Sequence, residues 1–399
     1  GERIKHLKVL SLANTDICDN VDGLALLLSL MRELEDLNLS SNNLMAEDFQ
    51  QLQTPLSKLT QLKTLNLSMN AIGPDGMKAL ANIFKKFLSL ERLDVSSSCI
   101  REKEARVLCK SLVSLEKLKY LNLSGNIIDI EVLGDGLVLP ATLEELLFSH
   151  IIHGEKLFAK MSQLQNLTKL HLNKLTLREC DVETLINILP CFPKLEELSL
   201  ANRVAPEYET IPVSCSVITN SNAEAFALAL ASLPMLEKLS FETDCLFNDE
   251  FVEQIYSAVG KLKYLRKLHL HNSNSTNREA EAFAKEIPSL ELLEELGFYR
   301  YDQSIDSEHV KMVFVAISKL SYLRQLNFDC AKMSYGDLKA LDEMLPSLPM
   351  LTGLTLFNIY FKNKSQRKGP FISFGKVRHL TKLFFSWKRI TQSNVDALV

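Results

Sequence analysis

No run of eighteen apolar residues occurs in the 399 residues, which excludes a membrane-crossing helix of ordinary length, and no secretory signal opens the chain. The eight cysteines (Cys18, Cys99, Cys109, Cys180, Cys191, Cys215, Cys245, Cys330) include no C-x-C or C-x-x-C pair and do not cluster at either end. That scatter argues against a disulfide framework and for a reducing, cytoplasmic setting. Also missing are G-x-x-x-x-G-K-[ST], G-x-G-x-x-G, G-x-S-x-G and H-E-x-x-H, so phosphate cradles, activated serines and zinc-protease sites have no seat, and the chain reads as non-enzymatic. Glycines number only fourteen and hydrophobic residues make up 46%, a composition too apolar for disorder. A net charge of −4 supplies no basic field for nucleic acid. Acidic residues are absent from Leu345 to Val395, where Lys362, Lys364, Arg367, Lys368, Lys376, Arg378, Lys382, Lys388 and Arg389 form a basic patch. It reads first as a solvated rim and second as a contact for an acidic partner.

What is present is repetition. The stretch from Leu118 to Ile128, LKYLNLSGNII, fits L-x-x-L-x-L-x-x-N-x-I, and the first leucines of like stretches are Leu7, Leu34, Leu62, Leu90, Leu118, Leu143, Leu167, Leu195, Leu236, Leu265, Leu293, Leu323, Leu351 and Leu380. That makes about 14 copies of about 28 residues. Leucines two apart, such as Leu121 and Leu123, share one face of a short strand, and one copy cannot bury them without a stacked neighbour. Most copies continue with a helical pattern, as in Met77, Leu80, Ala81 and Phe84, and others are expected at 223–233, 249–259 and 306–320. The motif asparagine stands in register at Asn42, Asn70 and Asn126. Thr15, Ser98, Asp244 and Ser273 keep part of its hydrogen-bonding capacity and Leu175 and Lys388 do not, so the later copies are expected to be less regular.

Such copies predict an α/β solenoid, a horseshoe with a parallel sheet on its concave face and helices on its convex face. Because the core of a solenoid grows in one dimension, residues 1–399 are expected to be a single repeat domain, with loop insertions around 202–221 and 363–369. The chain enters its first strand by Leu7 without an amphipathic cap, so it reads as a fragment of a larger protein.

Concave positions of the first five copies are small and polar (Ser11, Asn38, Asn66, Asp94, Asn122), whereas the last copies carry His269, His271, Tyr299, Arg300, Phe357, Phe384 and Trp387. Aromatic residues and arginine dominate interface energies, which makes these seven the candidate protein-contact surface; the competing reading is a local core or C-terminal cap. His269 and His271 share a strand face but lack a third ligand, so no metal site is assigned.

Repeats of this length, each with strand and helix, resemble the ribonuclease-inhibitor type of leucine-rich repeat found in intracellular NOD-like receptors, most of all the NAIP type, whose late strands also carry phenylalanine, as at Phe241, Phe298, Phe328 and Phe385 here. The resemblance implies a module that senses ligands, holds the rest of its receptor inactive and controls inflammasome-type assembly. It implies protein partners, either a ligand or other receptor domains, and neither membrane nor nucleic acid. No cofactor is expected in this chain; ATP or ADP would belong to a separate nucleotide-binding domain. The alternatives are a leucine-rich repeat GTPase-activating scaffold, which the basic C-terminal end fits poorly, and a stand-alone inhibitor or adaptor.

Overall fold

The computed structural model describes residues 4–128, 138–152, 154–176, 179–200, 222–242, 252–303, 305–330, 335–359, 377 and 379–387. The chain forms two compact units, residues 1–195 and 196–399. The first holds strands β1 (Val9–Ser11), β2 (Asp36–Asn38), β3 (Thr64–Asn66), β4 (Arg92–Asp94), β5 (Tyr120–Asn122), β6 (Glu145–Ile152) and β7 (Lys169–Thr176). Its helices are α1 (Val21–Leu30), α2 (Ala46–Leu56), α3 (Gly73–Phe84), α4 (Glu102–Leu112), α5 (Glu155–Met161) and α6 (Glu179–Ile188). The second holds β8 (Glu197–Leu200), β9 (Lys238–Glu242), β10 (Lys267–Ser275), β11 (Glu295–Gln303), β12 (Gln325–Cys330), β13 (Gly353–Ile359) and β14 (Lys382–Trp387). Its helices are α7 (Ala223–Ala231), α8 (Val252–Gly260), α9 (Asn277–Glu286), α10 (Ser307–Ile317) and α11 (Tyr335–Met344).

Within each unit the strands are parallel and pair in chain order, and the middle leucine of the motif sets the register. In the first unit Leu37, Leu65, Leu93, Leu121, Leu146 and Leu170 stand side by side. In the second, Leu198, Leu239, Leu268, Leu296, Leu326, Leu354 and Leu383 do the same. Those from Leu37 to Leu354 are buried. At β1 only one neighbouring strand is present, and Leu7 and Val9 are exposed.

Helical spacing closes the core from the other side. In α3, Met77, Leu80, Ile83 and Phe84 recur at three and four residues and are buried. Helix starts are capped as their sequences suggest: Asp306 accepts from the amides of Glu308 and His309 at 3.0 Å, and Thr276 accepts from Glu279 at 3.2 Å. In four copies of the second unit phenylalanine takes the third motif position, at Phe241, Phe298, Phe328 and Phe385. Phe298 packs against Phe283 and Phe328, with centroids 5.4 and 6.2 Å apart.

The motif asparagines decide how long each strand is. Asn126 Oδ1 accepts from the amides of Ser98 and Ile100 at 2.9 and 3.0 Å, while its Nδ2 donates to the carbonyls of Val95 and Leu123 at 2.8 and 3.0 Å. Asn70 does the same for Asn42 and Leu44 and for the carbonyls of Leu39 and Leu67. The residue before each asparagine turns the chain in the left-handed region: Ser41 at φ 56°, Met69 at 56° and Gly125 at 73°. Ser97 occupies the same place at 51°, before Ser98, whose hydroxyl donates to Leu67 and Ser96 carbonyls and so keeps the donor half of the asparagine's work. These strands are three residues long. Where two adjacent copies both lack the asparagine, the backbone beyond the motif pairs with the next strand instead. Ile151 and Leu175, at the asparagine position of their copies, are paired with each other, and β6 and β7 reach eight residues. The irregularity expected of the later copies thus takes the form of longer strands.

A ladder of alternating charge runs along the residue that precedes each strand motif. In the first unit it reads Lys8, Glu35, Lys63, Glu91, Lys119, Glu144; in the second it alternates from Glu237 through Arg266 and Glu294 to Arg324, after a like-charged start at Glu196. Glu35 bridges Lys8 at 2.7 Å and Lys63 at 2.5 Å, and the hydrogen bonds from Lys63 and Lys8 hold its carboxyl down at about 2. Arg266 pairs with Glu237 and Glu294, and Arg324 with Glu294. Each exposed pair stabilises little, but a strand paired with the wrong neighbour would set like charges side by side.

Candidate functional site

Strand lengthening widens the sheet where the sequence places its candidate contacts. In β10 and β11, nine residues each, the register continues past the position at which β1 to β5 stop. The first row across the second unit is Ser199, Ser240, His269, Gly297, Asn327, Thr355 and Phe384. The second is Glu242, His271, Tyr299, Asp329 and Phe357. Arg300 stands one step on, level with Asn272 and Cys330, and Trp387 pairs with Ile359 beyond a register shift. The structure therefore aligns His271, Tyr299 and Phe357 in one row and His269 and Phe384 in another, while Arg300 belongs to a third.

Of these residues, His269 and Phe384 have described side chains. Phe384 is 58% exposed on β14. His269 is half-buried, and its Nε2 lies 3.0 Å from Glu295 Oε1, whose second oxygen is 3.2 Å from Lys267 Nζ. The hydrogen bond from His269, and behind it Lys267, holds the Glu295 carboxyl at about 2 against the opposing effect of burial. The row thus carries a charge cluster at its third position, on β10, and an exposed aromatic ring at its end on β14, roughly 19 Å away at about 4.8 Å per strand. Of the basic patch, Lys382 is exposed at the start of β14; Lys362, Lys364, Arg367, Lys368, Lys376, Arg378, Lys388 and Arg389 lie outside the described residues, as do both insertions.

The polar positions of the first unit are occupied with their own turns. Asn38, Asn66, Asp94 and Asn122 each accept from the amide of the serine two residues on, at 2.9 to 3.0 Å. A cluster absent from the sequence reading stands beside them: the Arg92 guanidinium sits 3.9 Å over the Tyr120 ring and 3.4 Å from Glu145, which also meets Lys169 at 3.4 Å. The 28-residue spacing of Arg92 and Tyr120 is the signal that superposing the copies would reveal. Elsewhere, Glu155, Cys180 and Asp181 bring one ligand atom each within 4.8 Å of one another. Asp181 Oδ1 already accepts the Glu155 amide at 2.8 Å, so this buried carboxylate serves the start of α5.

Residues 58–81, the turn into β3 and most of α3, match the family model described as Leucine Rich repeat. The same pattern recurs in register through both units. The chain is built of leucine-rich repeats. No curated protein matches it. Among solved structures, the leucine-rich repeat chain is similar to TLR13 in its complex with ssRNA13, at 17% identity and a TM-score of 0.47, covering 93% of this chain and 56% of that one. It is also similar to an internalin (inlF) of Listeria monocytogenes, at 17% identity and a TM-score of 0.42, covering 100% and 86%. The chain thus spans little more than half the length of the TLR13 chain. At these TM-scores neither likeness bears on what the repeats bind. Among the described residues, no helix is long and apolar enough to cross a membrane.

Proposed function

We propose that these leucine-rich repeats form a non-enzymatic protein-recognition module of a cytoplasmic NOD-like receptor, with both units acting as one domain. Its contact surface is the widened sheet of the second unit, and it holds the remaining receptor domains in an unassembled arrangement until a ligand favours the other state. The observation that supports a contact surface here is the alignment of His271, Tyr299 and Phe357 in one row, with Asp329 between the last two, beside the half-exposed His269 and the exposed Phe384. A concentration of aromatic residues on a sheet whose equivalent polar positions elsewhere serve turns is what a hot spot needs. The receptor assignment draws on the repeat length and the phenylalanines of the late strands.

Two variants of the full-length protein test this reading. Removing residues after Asn202 is expected to raise self-assembly in light scattering, and a truncated protein as unassembled as the intact one would refute autoinhibition. The pair Tyr299→Ala and Phe357→Ala should release assembly as the truncation does while leaving the thermal unfolding of the repeats unchanged. A silent double variant would place the contact elsewhere.

A further inference from the structure

A second surface lies on the turns that lead into the strands of the second unit. Four of these turns are closed from the leucine two residues before the outermost residue to the leucine one residue after it: Leu265 N to Leu262 O at 3.0 Å, Leu293 N to Leu290 O at 3.1 Å, Leu323 N to Leu320 O at 3.2 Å and Leu351 N to Leu348 O at 3.3 Å. The flanking leucines are buried, so the two central residues of each turn face solvent. In five successive repeats the second central residue is apolar and exposed: Met235 at 48%, Tyr264 at 59%, Leu292 at 36%, Tyr322 at 49% and Met350 at 39%. The equivalent residues of the first unit are Glu33, Gln61, Ser89, Lys117, Thr142, Asn166 and Lys194, all polar. Each apolar residue stands three before a strand residue of one continuous register, Lys238, Lys267, Glu295, Gln325 and Gly353, so the five form a continuous row. At about 4.8 Å per step the row is roughly 19 Å long.

Charge beside the row is one-sided. The arginines and glutamates of the pre-strand ladder neutralise one another. Lys261, Lys263 and Lys319, all exposed and close in sequence to Tyr264 and Tyr322, have no acidic partner among the described residues; Glu291 stands against them, and Glu286, whose carboxyl lies beside Gly260, is paired with Lys285. We propose that this row docks an amphipathic α-helix of a partner protein, its apolar ridge packed on Met235 through Met350 and its flanking carboxylates paired with Lys261, Lys263 and Lys319. A helix repeats its ridge about every 5.4 Å, close to the step between repeats, so about thirteen residues span the row. This surface is independent of the sheet rows and stands or falls apart from the receptor reading.

The test is fluorescence anisotropy of the 399-residue chain with a labelled helical peptide of about 18 residues, leucines at every third or fourth position and glutamates beside them. Binding is expected to weaken at least about tenfold in Tyr264→Ser with Tyr322→Ser, and likewise in the surface charge reversal K261E with K263E and K319E, which leaves the apolar row intact. It should fall with added salt. No binding by the intact chain, equal binding of a peptide with lysine in place of glutamate, or equal binding to the charge-reversed chain would overturn the proposal. Capture by anionic phosphatidylserine vesicles with the same dependence on these residues would also overturn it, by assigning the row to a lipid surface.

Discussion

Replacing Asn126 with alanine removes a side chain that is 1% exposed and serves four backbone groups of two adjacent repeats. The carbonyls of Val95 and Leu123 can relax toward other donors, but the amides of Ser98 and Ile100 have no other acceptor at hand, and the site is closed to water. Each orphaned buried donor costs roughly 1 to 3 kcal/mol, so the two together should destabilise this region by about 2 to 6 kcal/mol. By contrast, Asn66→Ala, which loses half-buried bonds to Ser68, should cost less than about 1 kcal/mol. Because a repeat array need not unfold as one unit, the loss is best read locally, by hydrogen exchange at the Ser98 and Ile100 amides. A 2 kcal/mol loss corresponds to about 30-fold faster exchange. Asn126→Ser should cost nearly as much as the alanine variant, since the hydroxyl at position 98 donates to carbonyls and serves neither amide. Unchanged exchange at both amides in the alanine variant would refute the claim that the asparagine carries these bonds.

Leu121→Ala and Phe298→Ala should cost about 2 to 5 and about 3 to 5 kcal/mol in urea unfolding, and a loss below about 1 kcal/mol would show that the register is wrong. Cys99 is exposed, whereas burial pushes the Cys109 thiol up to about 12; at pH 8 iodoacetamide should label Cys99 readily and Cys109 only after unfolding, and equal labelling would contradict the packing of α4. His309 Nδ1 and Nε2 face Asp306 at 2.7 Å and Glu281 at 3.2 Å, so Asp306 first and Glu281 second raise its pKa, while His309 holds Asp306 at about 2. The raised histidine stabilises fully below its ordinary value of about 6.5 and fades as pH rises through the raised one; the lowered aspartate stabilises above about 4 and fades toward 2. The destabilisation by His309→Gln should therefore be greatest near pH 5 and shrink by pH 9, and a pH-independent difference would argue against the clamp.

The architecture was legible because one physical demand, leucines two apart that a single copy cannot bury, imposes a spacing that survives in nearly every copy from Leu34 to Leu351. Less visible was what replaces the motif asparagine. At Ile151 and Leu175 the sequence shows a loss, but its consequence, strands that run on to satisfy their own backbone, depends on both neighbours lacking the amide together. The charge ladder and the Arg92–Tyr120 stack were hidden for a related reason: their partners are one repeat apart, so neither can be read within a single copy. The candidate contacts were chosen as a cluster by residue type; register divides them into rows and sets Arg300 apart from Tyr299.

Within each unit, successive repeats stack in parallel with one residue of each in every row. The most direct measurement of this stacking is disulfide trapping between Asn327→Cys and Thr355→Cys, half-exposed neighbours in one row, with the bond mapped by peptide mass spectrometry. Their spacing of about 4.8 Å suits a disulfide, whereas Asn327→Cys with Phe384→Cys, two strands apart at roughly 10 Å, exceeds the range. The account predicts rapid, complete closure of the first pair and none of the second. Closure of the second pair in preference to the first would contradict the register from which everything else is argued.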